Sequence, residues 1–425
     1  MLAFARLNGA YHASLRPAST GARRSFVAWW ALLLVLSSNH ATSATSFSDR
    51  LGGTAKTQPI AAALSRAIVQ SLPLTSASAG IARSWDDTLG TFTIDKYLFG
   101  QVFLERPETI GRGNWSFLTS YQWVHLDSLD GRSLDELSDV RPPICGPTPC
   151  RLTPYTIPAY HLDLTTNEIS LGATYGVTDA LEVNVTLPLL VSDLGTRIVL
   201  SGLDRPAASL DVSSRDEATG VGDLVLRAKY QLLARGPLLL AAGLGLGLPT
   251  GNEDNFQGTG TVQVSPMLYA STDRLGEHLG FVLRPYLNAG SDLDAEDVAR
   301  SEVRWGLGLD LLRGSRFTAA VAFLGRHVLE AFGPSGALDV FRCTASRMRC
   351  LQPNPPQGIS PLLGIGGGRR DLYDLTVGFR AAFLGRRLIA TASCLVPLND
   401  QGIRPAVIPL VGIEIPFVQA PPAVL

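Results

Sequence analysis

Few side chains in this 425-residue chain have the types and spacing for bond-making chemistry. Beyond the first fifty residues, histidine occurs only at His125, His161, His278 and His327. A hydrolytic site needs a serine beside an imidazole that a third group orients. Ser120 and Ser128 flank His125, but their spacing fixes no nucleophile–base register, and polar residues at the rim of a sheet account for all three. Asp292, Asp294, Glu296 and Asp297 would attract a divalent cation. They lack the ligand spacing and turn glycine of a calcium loop, so a solvated acidic loop is expected. The stretch 238–248 (LLLAAGLGLGL) is laddered with glycine, yet neither the lysine nor the helix that cradles a phosphate follows it. Cys145 and Cys150 bracket Gly-Pro-Thr-Pro, and Cys343 and Cys350 form a second close pair. With no histidine near either pair, disulfide rings are expected rather than metal sites. No catalytic residue, metal or cofactor is expected.

The surrounding chain looks exported and rich in strands. Arg6, Arg16, Arg23 and Arg24 precede an apolar run at 26–36 (FVAWWALLLVL), and small residues follow through Ala44. This is the layout of a signal peptide over 1–44. The run is shorter than the roughly 20 residues a spanning helix needs. With 46% hydrophobic and 17% charged residues, 42 glycines and a mean hydropathy of +0.17, the chain reads as neither a coiled coil nor a disordered polymer. A formal net charge of −1 gives nucleic acid nothing to bind.

Period-two alternation is the dominant pattern. Glu302, Arg304, Gly306, Gly308 and Asp310 fall on one side of a strand, opposite Val303, Trp305, Leu307, Leu309 and Leu311. The pattern recurs at 181–189, 223–232 and 373–383. Twelve such segments can be placed, near 113–126, 161–175, 181–190, 220–233, 238–248, 261–271, 278–289, 302–312, 317–329, 371–383, 388–397 and 405–417. Their connections are tight at 176–180, 234–237, 272–277, 313–316 and 384–387. The intervening connections include loops of tens of residues at 127–160, 191–219 and 330–370. Sorting of loops by parity belongs to an outer-membrane barrel and has no reason to occur in a sandwich. The expected fold is all-β: a twelve-stranded antiparallel outer-membrane β-barrel over 112–417, with a tail at 418–425.

In this register the lumen receives Glu168, Glu182, Asp223, Glu302, Asp310, Asp374 and Glu414, with Arg227, Lys229, Arg284, Arg304, Arg326 and Arg380. The mixture of signs predicts no strong ion selectivity, and most of these residues are expected to pair across strands. Cys394 is left to face lipid. Gly412, Ile415 and Phe417 match the spacing of the C-terminal signal read by the barrel-insertion machinery. Pro416 and the eight residues after Phe417 depart from it. Residues 45–111 precede the barrel. Helical spacing at 59–71 sets Ile60, Leu64, Ala67 and Ile68 on one face, and the segment reads equally as a lumenal plug or a periplasmic flap.

Four motifs add a resemblance. Glu105-Arg106-Pro107-Glu108-Thr109-Ile110-Gly111 precedes the first strand, and Tyr175-Gly176-Val177-Thr178-Asp179-Ala180-Leu181-Glu182-Val183 spans a hairpin. Gly220-Val221-Gly222-Asp223-Leu224 and Leu248-Pro249-Thr250-Gly251-Asn252-Glu253 follow. Together, over roughly 75–417, they resemble the transporters of the MetA pathway of phenol degradation. The resemblance implies an outer-membrane barrel loosely similar to channels for fatty acids and aromatic hydrocarbons. Its expected partners are outer-membrane lipid, the insertion machinery and a small aromatic or hydrophobic solute taken up passively. A structural or adhesive barrel is the competing expectation, and a lipid hydrolase a more distant one.

Overall fold

The computed structural model describes residues 47, 68, 82–86, 91–94, 103–144, 153–202, 205–234, 238–272, 275–278, 281–313, 316–331, 342–343, 350–351 and 368–418. The expected signal peptide at 1–44, the pair Cys145 and Cys150, and the tail beyond Val418 lie outside them. Of the helix expected at 59–71, only Ile68 is among them; it is helical and buried.

Period-two patterning closes into an antiparallel barrel of twelve staves. In chain order its strands are β1 (Trp115–Leu129), β2 (Thr153–Gly176), β3 (Leu181–Gly202), β4 (Arg205–Val221), β5 (Leu224–Leu233), β6 (Leu238–Leu248), β7 (Gln263–Thr272), β8 (Phe281–Asp294), β9 (Glu302–Arg313), β10 (Phe317–Ala331), β11 (Gly368–Phe383), β12 (Leu388–Pro397) and β13 (Ile408–Phe417). β4 and β5 form one stave, interrupted at Gly222 and Asp223, and both pair with β3. The barrel shuts where β13 meets β1, with Phe417 opposite Trp115 and Leu410 opposite Gln122.

The alternation runs inside out relative to a water-soluble protein. Along β13, Ile408, Leu410, Gly412, Glu414 and Pro416 are buried, while Pro409, Val411, Ile413, Ile415 and Phe417 are exposed. Along β9, Glu302 and Asp310 are buried while Val303, Leu307, Leu309 and Leu311 are exposed. A continuous outer wall of this kind suits hydrocarbon, where a closed barrel leaves no backbone group unpaired. Aromatic rings gather at both ends of that wall. At the end bearing the tight turns, Trp115 lies 4.4 Å from Tyr175, and Phe417 meets Phe117 edge-on at 5.7 Å. At the other end Trp305, Phe323 and Tyr373 pack at 5.4–6.4 Å. These are the two interfacial girdles of a membrane barrel.

The structure corrects two of the long loops. Much of 191–219 is a hairpin, because β3 and β4 continue their ladder to the pairing of Gly202 with Arg205. Within 127–160, the strand Leu137–Ile144 adds to β2. Alternation persists beyond the membrane-facing part of β3, where buried Ser192 and Leu194 follow half-exposed Val191 and Asp193, and pairing satisfies backbone groups a loop would leave to solvent. The 22 residues of β3 span about 70 Å of chain against a lipid band of about 25 Å, so the hairpin projects past the rim. There Arg215 hydrogen-bonds Asp193, which raises its pKa above the ordinary arginine value.

Candidate functional site

Inside the wall the lumen has two chemically different halves. Toward the mouth, Val124, Leu126, Leu162, Leu164, Leu194, Leu395 and Ile408 form an apolar lining. Three side chains from elsewhere fill it: Phe256 of the loop after β6, and Phe47 and Ile68 of the N-terminal segment. Phe47 and Phe256 pack at 5.5 Å, and the Phe47 amide donates to Asn255 Oδ1 at 3.3 Å. Toward the tight-turn end the lining is polar and charged, and residues 103–110 run through it.

Arg106, Glu108, Thr109 and Ile110 are almost wholly buried there. Lys229 Nζ stands 2.7 Å from the Glu182 carboxylate and 3.6 Å from that of Glu105, and it donates to the Arg106 carbonyl at 2.9 Å. Glu182 in turn accepts the Ile110 amide at 2.7 Å. Glu108 pairs with fully buried Arg284. With its side-chain amide oriented to match its neighbours, Asn288 brackets the Glu105 backbone, donating to its carbonyl at 2.9 Å and accepting its N–H at 2.7 Å. At the base, Gly113 donates to Gly176 O, and a Cβ on Gly176 would lie 1.8 Å from the Gly111 carbonyl. Only glycine permits that approach.

A second anchor holds the loop between β6 and β7. Asp223, at the break between β4 and β5, accepts the Gly251 amide at 3.0 Å, the Thr259 amide at 2.7 Å and the Thr259 hydroxyl at 2.8 Å. Thr250 Oγ1 donates to Gly222 O, and Gln257 Nε2 donates to Ala218 O. The loop therefore bends inward and delivers Phe256 to the apolar core. Motifs 220–224 and 248–253 are two sides of this one joint.

The residues expected in the lumen are distributed as follows. Glu182, Lys229 and Arg284 hold the inserted segment, and Asp223 holds the loop. Glu302 accepts from Arg304 Nε at 2.5 Å, and Arg304 also pairs with Asp292. Asp374 takes Arg404 at 2.6 Å and Arg326 at 3.9 Å. Ser116 donates to Glu414 at 2.6 Å. Arg380 is buried in the field of Glu414, Asp310 and Arg106, and Arg227 is half-buried beside the cavity described below. Gly412 points inward, Ile415 and Phe417 outward. Backbone pairing sets Cys343 directly opposite Cys350. His125 faces outward, stacked on Trp123 and 2.9 Å from Thr165 Oγ1, whereas Ser120 is buried on the opposite face, so the two cannot act together.

Sequence reasoning missed Glu105, Arg106, Glu108 and Arg404 as partners of the lumen charges. Two acids and an arginine around Pro107, in a chain poor in charge, were the available signal for the first three; Arg404 carried none.

Between the inserted segment and the wall lies a cavity of about 260 Å³. Phe103, Leu104, Leu190, Leu324, Leu395 and Ile408 give it an apolar side, and Glu168, Glu182, Arg227 and Lys229 are among the polar residues that complete it.

The wall and its belts define a β-barrel of outer-membrane type with its own N-terminal residues inside. Residues 157–304 match the family model for the MetA-pathway of phenol degradation, a stretch that contains three of the four motifs. Among solved structures, the chain is similar to an outer-membrane channel of Pseudomonas putida F1, at 15% identity and a TM-score of 0.40, over 72% of this chain and 96% of that one. It is also similar to the Ralstonia pickettii toluene transporter TbuX, at 11% identity and a TM-score of 0.32, over 72% and 90% of the two chains. A Pseudomonas aeruginosa FadL homologue matches at 8% identity and a TM-score of 0.29, over 73% and 90%. No curated protein matches the chain.

Proposed function

We propose that this protein is an outer-membrane channel for small, apolar and aromatic solutes, closed at rest by its own N-terminal segment. One observation carries the reading: residues 103–110 are seated in the lumen by Lys229, Glu182 and Arg284, directly beside a cavity with an apolar side. A barrel filled only for strength would interlock its wall charges with one another. Here two buried cations of the wall, Lys229 and Arg284, reach residues 105–108 of the inserted segment. The apolar mouth receives the solute, the cavity holds it, and displacement of 103–110 frees the exit.

In this reading 1–44 directs export, 45–111 is the plug, 112–417 the barrel and 418–425 a tail. Gly412, Ile415 and Phe417 present the last strand to the insertion machinery, and the Cys343–Cys350 and Cys145–Cys150 pairs brace external loops. The test is accumulation of a radiolabelled monoaromatic probe by Gram-negative cells deficient in their own pores. Cells expressing the full chain are expected to take up the probe several-fold faster than cells without it. Equal rates, with folded protein present in the outer membrane, would overturn the proposal.

A further inference from the structure

Two neighbouring tight turns of the barrel carry arginine and no acid. Arg313-Gly314-Ser315-Arg316 joins β9 to β10, and Leu384-Gly385-Arg386-Arg387 joins β11 to β12. The two middle staves pair with each other, and the Ala382 amide donates to the Arg316 carbonyl at 2.8 Å. Arg316 and Arg387 are exposed, and neither has an ion-pair partner among the described residues. Two strand spacings set their backbones about 10 Å apart, within the combined reach of two arginine side chains. The flanking turns differ in charge: 272–277 holds Asp273 and Glu277 with Arg274, and 176–180 holds Asp179.

The wall next to these turns is aromatic. Phe317 and Phe379 stack at 6.0 Å, and Phe383 stands half exposed. Arg313 continues the outward parity of Leu309 and Leu311. Leu384 is 76% exposed, more than any other large apolar residue among those described. Leu384, Gly385 and Arg386 have φ of 50°, 65° and 69°, a left-handed conformation that suits glycine or asparagine and strains leucine. Turn geometry therefore does not account for a leucine here, and an apolar partner outside the protein does.

Guanidinium groups grip phosphate oxygens in pairs, and aromatic rings at this depth lie where headgroups meet acyl chains. A zwitterionic headgroup brings its own cation to the phosphate, whereas an anionic one leaves its charge for the protein to meet. We infer that these two turns form a binding site for an anionic phospholipid of the periplasmic leaflet. Arg316 and Arg387 hold the phosphate, Arg313 and Arg386 flank it, and Leu384 and Phe383 lie against the acyl chains. The site is on the outside of the barrel, so its test does not depend on what crosses the lumen.

The experiment is native mass spectrometry of the refolded full chain in detergent, titrated separately with phosphatidylglycerol and phosphatidylcholine of identical acyl chains. An arginine beside an anionic headgroup contributes about fivefold in affinity. The unsubstituted protein is therefore expected to prefer phosphatidylglycerol about tenfold or more. Arg316→Gln combined with Arg387→Gln should bind the two lipids alike, while the corresponding pair of lysine replacements keeps most of the preference. Arg300→Gln, at the opposite end of the barrel, should change nothing. Leu384→Asn should weaken both lipids while making the barrel more resistant to denaturant, an outcome that a merely structural leucine would not give. Excess inorganic phosphate should leave phosphatidylglycerol bound. The inference is overturned if the unsubstituted protein shows no preference, if the preference survives the paired glutamine replacement, or if Leu384→Asn binds lipid undiminished. Displacement by inorganic phosphate would equally overturn it, by marking a site for a soluble anion. Should the paired glutamine variant fail to fold, the preference is read on the unsubstituted protein as salt is raised: ion pairing predicts that it falls, and a salt-independent preference overturns the assignment.

Discussion

Arg284 has no exposed surface and is tolerated because Glu108 reaches it from a different part of the chain. Breaking one partner of such a buried pair strands the other, at a cost of about 3–5 kcal/mol. Glu108→Ala is therefore expected to unseat residues 103–110, read as faster amide hydrogen exchange across them while the barrel strands keep their protection. Unchanged exchange at 103–110 would contradict the latch. The wall half of this contact was legible: Arg284, Lys229 and Glu182 share the inward parity of their strands. The other half was not, because Glu108 lies 176 residues from Arg284 in a stretch with no periodicity. Period-two reasoning says which face a side chain takes, and nothing about what fills the space it faces.

At the scale of elements, each of the twelve expected strands corresponds to a stave of the barrel, since alternation and turn length are local properties of the chain. The correction at 191–219 has a physical cause. The expected strand stops near residue 190 and leaves 191–219 as a connection, whereas the ladder with β4 continues through Gly195 opposite Arg215. The inward bend after β6 was also illegible. Motif 248–253 marked a turn, but its direction is set by Asp223 on another stave. Asp223→Ala removes three charge-assisted hydrogen bonds, each contributing about 1.5–3 kcal/mol. Exchange across 250–260 should then rise at least tenfold while the barrel's far-UV circular dichroism stays constant; an unaltered loop would show that Phe256 alone seats it. In the short ladder of 342–343 with 350–351, register places Cys343 opposite Cys350. Alkylation followed by peptide mapping without reductant should recover those two residues linked in protein extracted from membranes. Recovery of two separately alkylated thiols would contradict the pairing.

For the whole molecule, the inverted alternation makes lipid the solvent of the outer wall. Leu307, half exposed near the middle of β9, is expected to tolerate polar replacement poorly. Leu307→Arg should destabilise the barrel by about 2–4 kcal/mol, measured by denaturant unfolding in vesicles. Equal stability would mean that this face does not meet hydrocarbon. The central claim is that the lumen is a passage closed by the chain's own N-terminal segment. Its most direct test is single-channel conductance in a planar bilayer, comparing the full chain with a refolded version lacking residues 45–110. The account predicts a quiet full-length protein and steady conductance after truncation. Equal, large conductance in both would contradict closure by the segment, and silence in both, from folded barrels, would contradict the passage itself.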